Sequence, residues 1–445
     1  MKPILYLLLL VLLCAFNPVI SALAQDMDNE RGRHQEILAR IKDDVQKNYY
    51  DPSYKGIDLE AKYKVAKEKI RKAGSIGQMS SIIAQFLIDF DDSHLFFFPP
   101  GRADKVSYGF DFSMVGDKCF VSKVDQKSDA ANKGIQVGDE LYSIEGYEPT
   151  RENLWKMRYT YFALRPRDGL SVVVKKPDGK NAKYDINAKI IHGKRLIDLT
   201  GSIDVTGLDI NQYNRDSEDA QKRATRQYFY EKLDGIFIWK MPGYSLDPSK
   251  VDSIMGRAKK FPAMILDLRG NSGGRVDMLL RLLGNLFQKD IKVADEKRRK
   301  ETKEMIAKSR GKEVFDGKIV VLIDSGSASA SEILARVMQI EKRGIVIGDR
   351  SAGAVMESMF FDHELGMDSV VFYGTSITVA DLIMTDGRSL EKIGVIPDQL
   401  VLISGSDLAA KRDSVLAIAV QFLGHKLNPE EAGKIFSDVE DADKK

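Results

Sequence analysis

The sequence predicts a multidomain α/β protein: a helical N-terminal unit, a β-rich middle unit and a larger core of alternating strands and helices. Three observations lead there. The chain has 445 residues, 43% of them hydrophobic, enough for two or three domains with separate buried cores. Apolar positions recur three or four apart between about 27 and 90, whereas short β-like runs divided by Gly and Asp turns fill 105–190. From Gly235 onward, near-continuous apolar strands alternate with helical stretches, the pattern of βαβ units in a mostly parallel sheet.

Lys+Arg 67 against Asp+Glu 65 leaves a formal charge of +2, so no global field favours nucleic acid or an anionic membrane as partner. Lys2, the apolar run ILYLLLLVLLCAF and Ala22-Leu23-Ala24 read as a secretory signal peptide over 1–24. The mature chain then starts near Gln25 and is exported, to a periplasmic or extracellular location. A lipid anchor on Cys14 fits less well, because Leu13 is bulky where a lipoprotein cleavage site takes a small residue. Cleavage leaves Cys119 without a disulfide partner and excludes a cysteine-based metal cluster. No later segment has the ~20 apolar residues of an integral membrane span.

In the first unit (25–102), Ile37, Leu38 and Ile41 mark a helix that breaks at NYYDPSYKG. LEAKYKVAKEKIRKA and SSIIAQFLIDF continue as helices, and DDSHLFFFPP ends the unit at two prolines. In the second (103–192), KCFVSKV, SVVVKK and AKYDINA are strands around the turn-rich ANKGIQVGDELYSIEG. A polar stretch, VTGLDINQYNRDSEDAQKRATRQ, lies near the start of the third (193–405). Its strands are GIFIWKM, AMILDLRG, KIVVLID and GIVIGD, and its helices RVDMLLRLLGNLF and SEILARVMQ. The remainder (406–445) reads as one helix through LAAKRDSVLAIAVQFL and a charged end, EDADKK. Ligands of parallel sheets bind in loops past the carboxyl ends of strands, and two such loops here are unusual: DLRGNSGGR and DSGSASASE.

The second loop holds four serines ahead of a helix. Ser329 and Glu332 fit an S-x-x-E capping box, and a serine at that strand-to-helix turn is also placed as a nucleophile beside helix N–H groups. In RGNSGG, Gly270, Gly273 and Gly274 permit left-handed backbone that aims amides at a small anion; the spacing suits no phosphate loop, so an oxyanion hole or a plain tight turn remains. A serine nucleophile needs a base. Of the five histidines, His34, His192, His363 and His425 read as solvated surface residues, while His94 stands at a domain junction between an acidic pair and FFFPP.

Two resemblances sharpen this. YGFDF followed by AANKGIQVGDELYSIEG resembles a PDZ domain, which implies that Gly109, Phe110 and Phe112 bind the terminal carboxylate and apolar C-terminus of a peptide added as a strand. DLRGNSGG, GSASASEILARVMQ, IGDRSAGA and LEKIGVIPD, with DSH ahead of the PDZ-like unit, resemble the tail-specific or C-terminal processing serine peptidases and their tricorn-core relatives. That resemblance implies a ClpP/crotonase-like core, Ser329 as nucleophile, and an oxyanion hole from the amides of Ala330 and Gly273. The Ser-Lys branch carries its base where this chain has Ala354, so that dyad is excluded. The tricorn-like branch implies His94 as base and Glu391 as its orienting carboxylate; Lys392 follows Glu391 where a small residue is common. The expectation is an exported serine endopeptidase acting on proteins or peptides with apolar C-termini, needing no metal or cofactor. The alternatives are a catalytically inactive relative that binds peptides or hydrophobic ligands, and an enzyme using Lys392 as base. The sequence leaves the oligomeric state open.

Overall fold

The structure, a computed structural model, describes residues 27–100, 105–176, 179–191, 226–231, 233, 235–366 and 371–436. The expected signal peptide with Cys14, His192, nearly all of the polar stretch and EDADKK lie outside the described residues.

Three helices come first: α1 (27–48), α2 (Leu59–Arg71) and α3 (Ile76–Ile88). Asp58 caps α2 through Ala61 N and Ser75 caps α3 through Gln78 N, each filling an otherwise orphaned amide. Ile37, Leu38, Ile41 and Val45 pack against Ile70, Met79, Ile83 and Leu87. His34, expected at the surface, is buried in this core, its Nδ1 2.8 Å from Glu30 O. Strand β1 (Phe96–Phe98) follows and pairs antiparallel with Val371–Met384.

The middle unit opens with β2 (Lys105–Ser107), β3 (Phe110–Val115), β4 (Lys118–Val124), α4 (Asp129–Asn132) and β5 (Glu140–Ile144). It continues with α5 (Leu154–Arg158), prolonged by a π-helical turn, then β6 (Gly169–Lys175), β7 (Asn181–Asn187) and β8 (Lys189–Ile191), which pairs with β2. Strands β3 to β7 form an antiparallel sheet in chain order, leaving β3 at one edge. Alternation along β3 turns Phe110, Phe112 and Met114 inward.

In the core, β9 (Tyr228–Tyr230), β10 (Ile236–Lys240), α6 (Pro248–Ala258), β11 (Ala263–Asp267) and α7 (Val276–Gly284) precede β12 (Ile291–Arg298) and β13 (Thr302–Ala307). Then come β14 (Lys318–Ile323), α8 (Ala330–Ile340), β15 (Ile345–Gly348), β16 (Met356–Leu365), β17 (Val371–Met384) and β18 (Gln399–Leu400). One sheet runs β18-β15-β14-β11-β10-β9 and is parallel except for β9. A second is β1-β17-β12-β13 with β16 on β17, entirely antiparallel. Sequence reasoning found no strand in 291–307 or 356–384. Lys and Glu crowd β12 and β13, whose faces are partly exposed, so no apolar run announces them.

The expected single C-terminal helix is instead α9 (Gly405–Ala409), α10 (Ser414–Phe422) and α11 (Pro429–Lys434). Lys411 at φ 55 breaks it, and Asp413 caps α10 through Leu416 N. Helix α10 covers one face of the parallel sheet, while α7 and α8 belong to the core on the other. Among the described residues, no helix is long and apolar enough to cross a membrane.

The middle unit is bolted to the core beside the serine loop. Arg151 donates to Asp349 Oδ2 at 2.6 Å, to Arg350 O at 3.0 Å and to Gly116 O at 2.7 Å, and Ser325 Oγ donates to Met114 O at 2.6 Å. Both charged partners are nearly buried, so Asp349→Ala leaves an unpaired guanidinium and is expected to cost about 3 kcal/mol. A lower urea midpoint, with faster amide exchange at Gly116, is the readout.

Candidate active site

The loops after β11 and β14 meet above the parallel sheet. Asn271, fully buried, ties them: its Nδ2 donates to Met241 O at 2.7 Å, while its carbonyl accepts from Ala328 N at 2.9 Å and Ser331 Oγ at 3.0 Å. Asp324, pushed up by burial, accepts from Gly270 N at 2.8 Å and Gly326 N at 2.9 Å.

The four serines of this loop are not equivalent. Ser325 Oγ donates to Met114 O, Ser327 Oγ to Leu268 O at 2.8 Å, and Ser331 Oγ to Asn271 O. Of the four, Ser329 Oγ alone donates to no neighbour among the described residues; its one relation is the capping box with Glu332. Its backbone sits at φ 55, ψ −119, a conformation that costs a non-glycine residue about 1–3 kcal/mol. The anticipated capping box is in place. Glu332 Oε2 accepts from Ser329 N at 3.0 Å, and Ser329 Oγ stands over the Glu332 amide as a capping box requires, although that amide's hydrogen bond goes to Ser329 O at 2.9 Å.

Glu332 is fully buried and pushed up to about 7 by that burial, against four donors that favour its charge. They are Ser329 N and Ala354 N on Oε2, with Ser351 Oγ at 2.6 Å and Gly353 N at 2.8 Å on Oε1. Ala354 O accepts from Ser329 N at 2.9 Å, so the alanine that stands for the Ser-Lys base does lie beside the serine, offering only main chain.

Ala330 N, at the start of α8, has no acceptor among the described residues. Gly273, with φ 97, lies against the same turn: a Cβ there would sit 2.7 Å from Ser329 Cβ and 3.1 Å from Ala330 N. Its own amide is not free, however, because it donates to Asn271 Oδ1 at 2.8 Å. The expected pair of open amides is therefore half made; among the described residues, Ser272 N and Gly274 N are neighbouring loop amides without an acceptor.

His94 and Glu391 come together through Ser93, the serine next to His94, to which sequence reasoning assigned no role of its own. Ser93 Oγ donates to Glu391 Oε2 at 2.7 Å and lies 2.8 Å from His94 Nδ1; Ser93 N donates to Glu391 Oε1 at 3.0 Å. With the hydroxyl proton given to the carboxylate, Nδ1 must be the donor to Ser93, which leaves Nε2 as the basic nitrogen. The signal for Ser93 was present in the S-H pair itself. Burial lowers His94 and Asp92 partly offsets it; burial raises Glu391 against three donors. In this arrangement no hydrogen bond joins Ser329 Oγ to the His94 ring. Lys392 Nζ is held 2.8 Å from Asp91 at the surface, and Lys342 lies at the far end of α8.

The peptide-binding residues are placed differently from expectation. Phe110 and Phe112 are 5% and 1% exposed and fill the middle unit's core, so their side chains wall no groove. Gly109 takes φ 76, donates weakly to Ser107 Oγ at 3.4 Å, and borders a cleft of about 180 Å³ shared with Lys127 and Lys189. Arg158 lies over the Phe112 ring and donates to its carbonyl. His363, expected at the surface, pairs with Asp44 at 2.7 Å and stacks on Tyr373. Among the described residues no cluster of His, Cys, Asp and Glu could hold a metal ion.

Residues 237–401 match the model of Peptidase family S41. The carboxyl-terminal-processing protease of Synechocystis sp. is 29% identical over 162 residues, 36% of this chain and 36% of that protein. The tail-specific protease of Haemophilus influenzae is 29% identical over 194 residues, 41% of this chain and 27% of that protein. The matches thus span well under half the length of these curated relatives. Among solved structures, mature CPAF superposes with a TM-score of 0.62 at 16% identity, covering 85% of this chain and 94% of that one. The mixed α/β fold is therefore shared over most of the chain, and the sequence resemblance of the core to C-terminal processing and tail-specific peptidases holds.

Gly273→Ala puts a methyl group where the Ser329 turn already stands and strains a left-handed backbone. The folded variant is expected to react with a fluorophosphonate about 100-fold more slowly than wild type, the cost of disturbing one oxyanion donor.

Proposed function

We propose that this chain is a serine peptidase of the carboxyl-terminal-processing kind, with Ser329 as nucleophile, His94 as general base, and Glu391 acting on His94 through Ser93. The observation that carries this reading is the hydroxyl of Ser329. Its three neighbouring serines donate their hydroxyl protons to main-chain carbonyls, while Ser329 is held in a strained turn with its own proton given to no described neighbour and the Ala330 amide open beside it.

In the proposed reaction Ser329 Oγ attacks a peptide carbonyl as His94 Nε2 takes its proton. The imidazolium is stabilised through the Nδ1–Ser93–Glu391 line. The carbonyl oxygen, now an anion, meets Ala330 N–H and a glycine-loop amide: Gly273 if Asn271 releases it, or Gly274. His94 returns the proton to the leaving amine, and water admitted in its place hydrolyses the acyl-enzyme. Nε2 must approach Ser329 Oγ for this, a contact that commonly tightens only with substrate bound. Lys392 is a poor rival base, because its ammonium is committed to Asp91.

The middle unit supports a PDZ-like reading through the edge strand β3, where an apolar C-terminus would add as a strand once Ser325 releases the Met114 carbonyl. Its carboxylate would fall near Gly109, Lys127 and Lys189, and Arg158 would have to leave the Phe112 carbonyl. The leader-like 1–24 supports export.

Two measurements test the reading. A fluorophosphonate is expected to label the wild-type chain stoichiometrically, Ser329→Ala not at all, and His94→Ala at least about 100-fold more slowly. A well-folded wild type that stays unlabelled would instead indicate a binding protein. The second measurement is the pH dependence of labelling. The neutral imidazole is the base, so the rate falls as pH drops through the His94 pKa, which burial sets below the ordinary 6.5. The plateau should extend below pH 6.5; a limb centred well above it, as a lysine base produces, would rule His94 out.

A further inference from the structure

Asp92 takes no part in the chemistry above, yet it is 2% exposed and its carboxylate is fully engaged. Oδ1 accepts from His94 N at 3.0 Å and from Thr378 Oγ1 at 2.6 Å; Oδ2 accepts from Tyr49 OH at 2.9 Å. Tyr49 lies just past α1 and Thr378 on β17, and both are fully buried. Next to them Tyr50 N donates to Thr378 O at 3.0 Å. One carboxylate thus joins the helical unit, the second sheet and the turn that carries His94.

A neutral acceptor could satisfy the same three donors without the cost of burying a charge. The charge itself must therefore be used, and the group that gains from it is the His94 ring. Burial disfavours the imidazolium, and Asp92 is the charge that opposes burial there. The other ionisable groups on the surrounding elements are already engaged or neutral. Asp91 pairs with Lys392, Glu391 is bound by Ser93, and Asp381 accepts from Ser389 Oγ at 2.8 Å. Tyr49 and Tyr50 are held un-ionised by burial.

We propose that Asp92 is the positioning residue of the base: it fixes the 92–94 turn against α1 and β17 and supplies a second negative charge, beside Glu391, for the imidazolium formed during acyl transfer. This rests on the reading of His94 as base.

The test follows the His94 ring by NMR titration of the full chain, its signal identified by its loss in His94→Gln, and the pH profile of fluorophosphonate labelling. In Asp92→Asn, which keeps an acceptor for His94 N and Thr378 but no charge, the ring pKa is expected to fall by about half a unit or more. The acid limb of labelling should move down with it, and the plateau rate should drop about tenfold. A ring that titrates as in wild type in folded Asp92→Asn, with an unmoved limb, overturns the proposal. The ring titration needs no turnover. Wild-type labelling in His94→Ala would therefore sink the base assignment separately, without touching the titration result. Should Asp92→Asn not fold, Thr378→Val carries the test: a plateau rate several-fold lower with the limb in place is expected, and a wild-type rate overturns positioning.

Discussion

Everything at this site hangs from one buried carboxylate. Glu332 gathers the amide of Ser329, two amides of the loop after β15 and the Ser351 hydroxyl, and Ser351 Oγ in turn accepts from Val395 N at 2.6 Å. From Val395 the chain leads back to Glu391, which also accepts Val355 N at 3.0 Å. The strained Ser329 turn, the loop bearing Ala354 and the loop bearing Glu391 are thereby one hydrogen-bonded object. Strain of about 1–3 kcal/mol at Ser329 persists only because its surroundings over-determine it. Burial pushes Glu332 up to about 7, so the brace carries a charge the site is reluctant to hold.

How much of this the sequence disclosed depends on whether the signal was local. The serine turn was legible because a buried strand, a polar loop and a helix follow one another within about twenty residues, and geometry does the rest. Ser93 was legible in principle, as half of the S-H pair, but a hydroxyl relay needs the carboxylate's position, which the sequence does not supply. The commitment of Gly273 N to Asn271 was invisible for the same reason. Phe110 and Phe112 were read through a family motif as binding residues; alternation along β3 places their side chains inward, so any such role falls to their main chain. His34 was misread: a charged neighbourhood in sequence hid an inward face of α1.

The expected boundary at residue 102 divides the sequence but not the energetics. Strand β1 belongs to the sheet of β17, and Tyr373 and Ile377 of β17 sit in the same apolar cluster as Ile37 and Leu87. Asp92 adds a polar anchor at that seam, and Arg151 with Asp349 makes another on the opposite side of the serine loop. The His94 turn thus has its own anchors at the Asp92 seam and meets the Ser329 turn through Glu391, while no hydrogen bond joins the His94 ring to Ser329 Oγ.

The Ser93–Glu391 contact joins positions 298 residues apart. Closing so long a loop is slow compared with forming local helices and hairpins, and a chain synthesised from its N-terminus carries His94 for most of its length before Glu391 exists. The proposed relay is therefore among the last features to assemble. A protein built this way would have a form of latency that needs no inhibitor: partly folded copies carry the serine and the histidine without the carboxylate that orients the histidine.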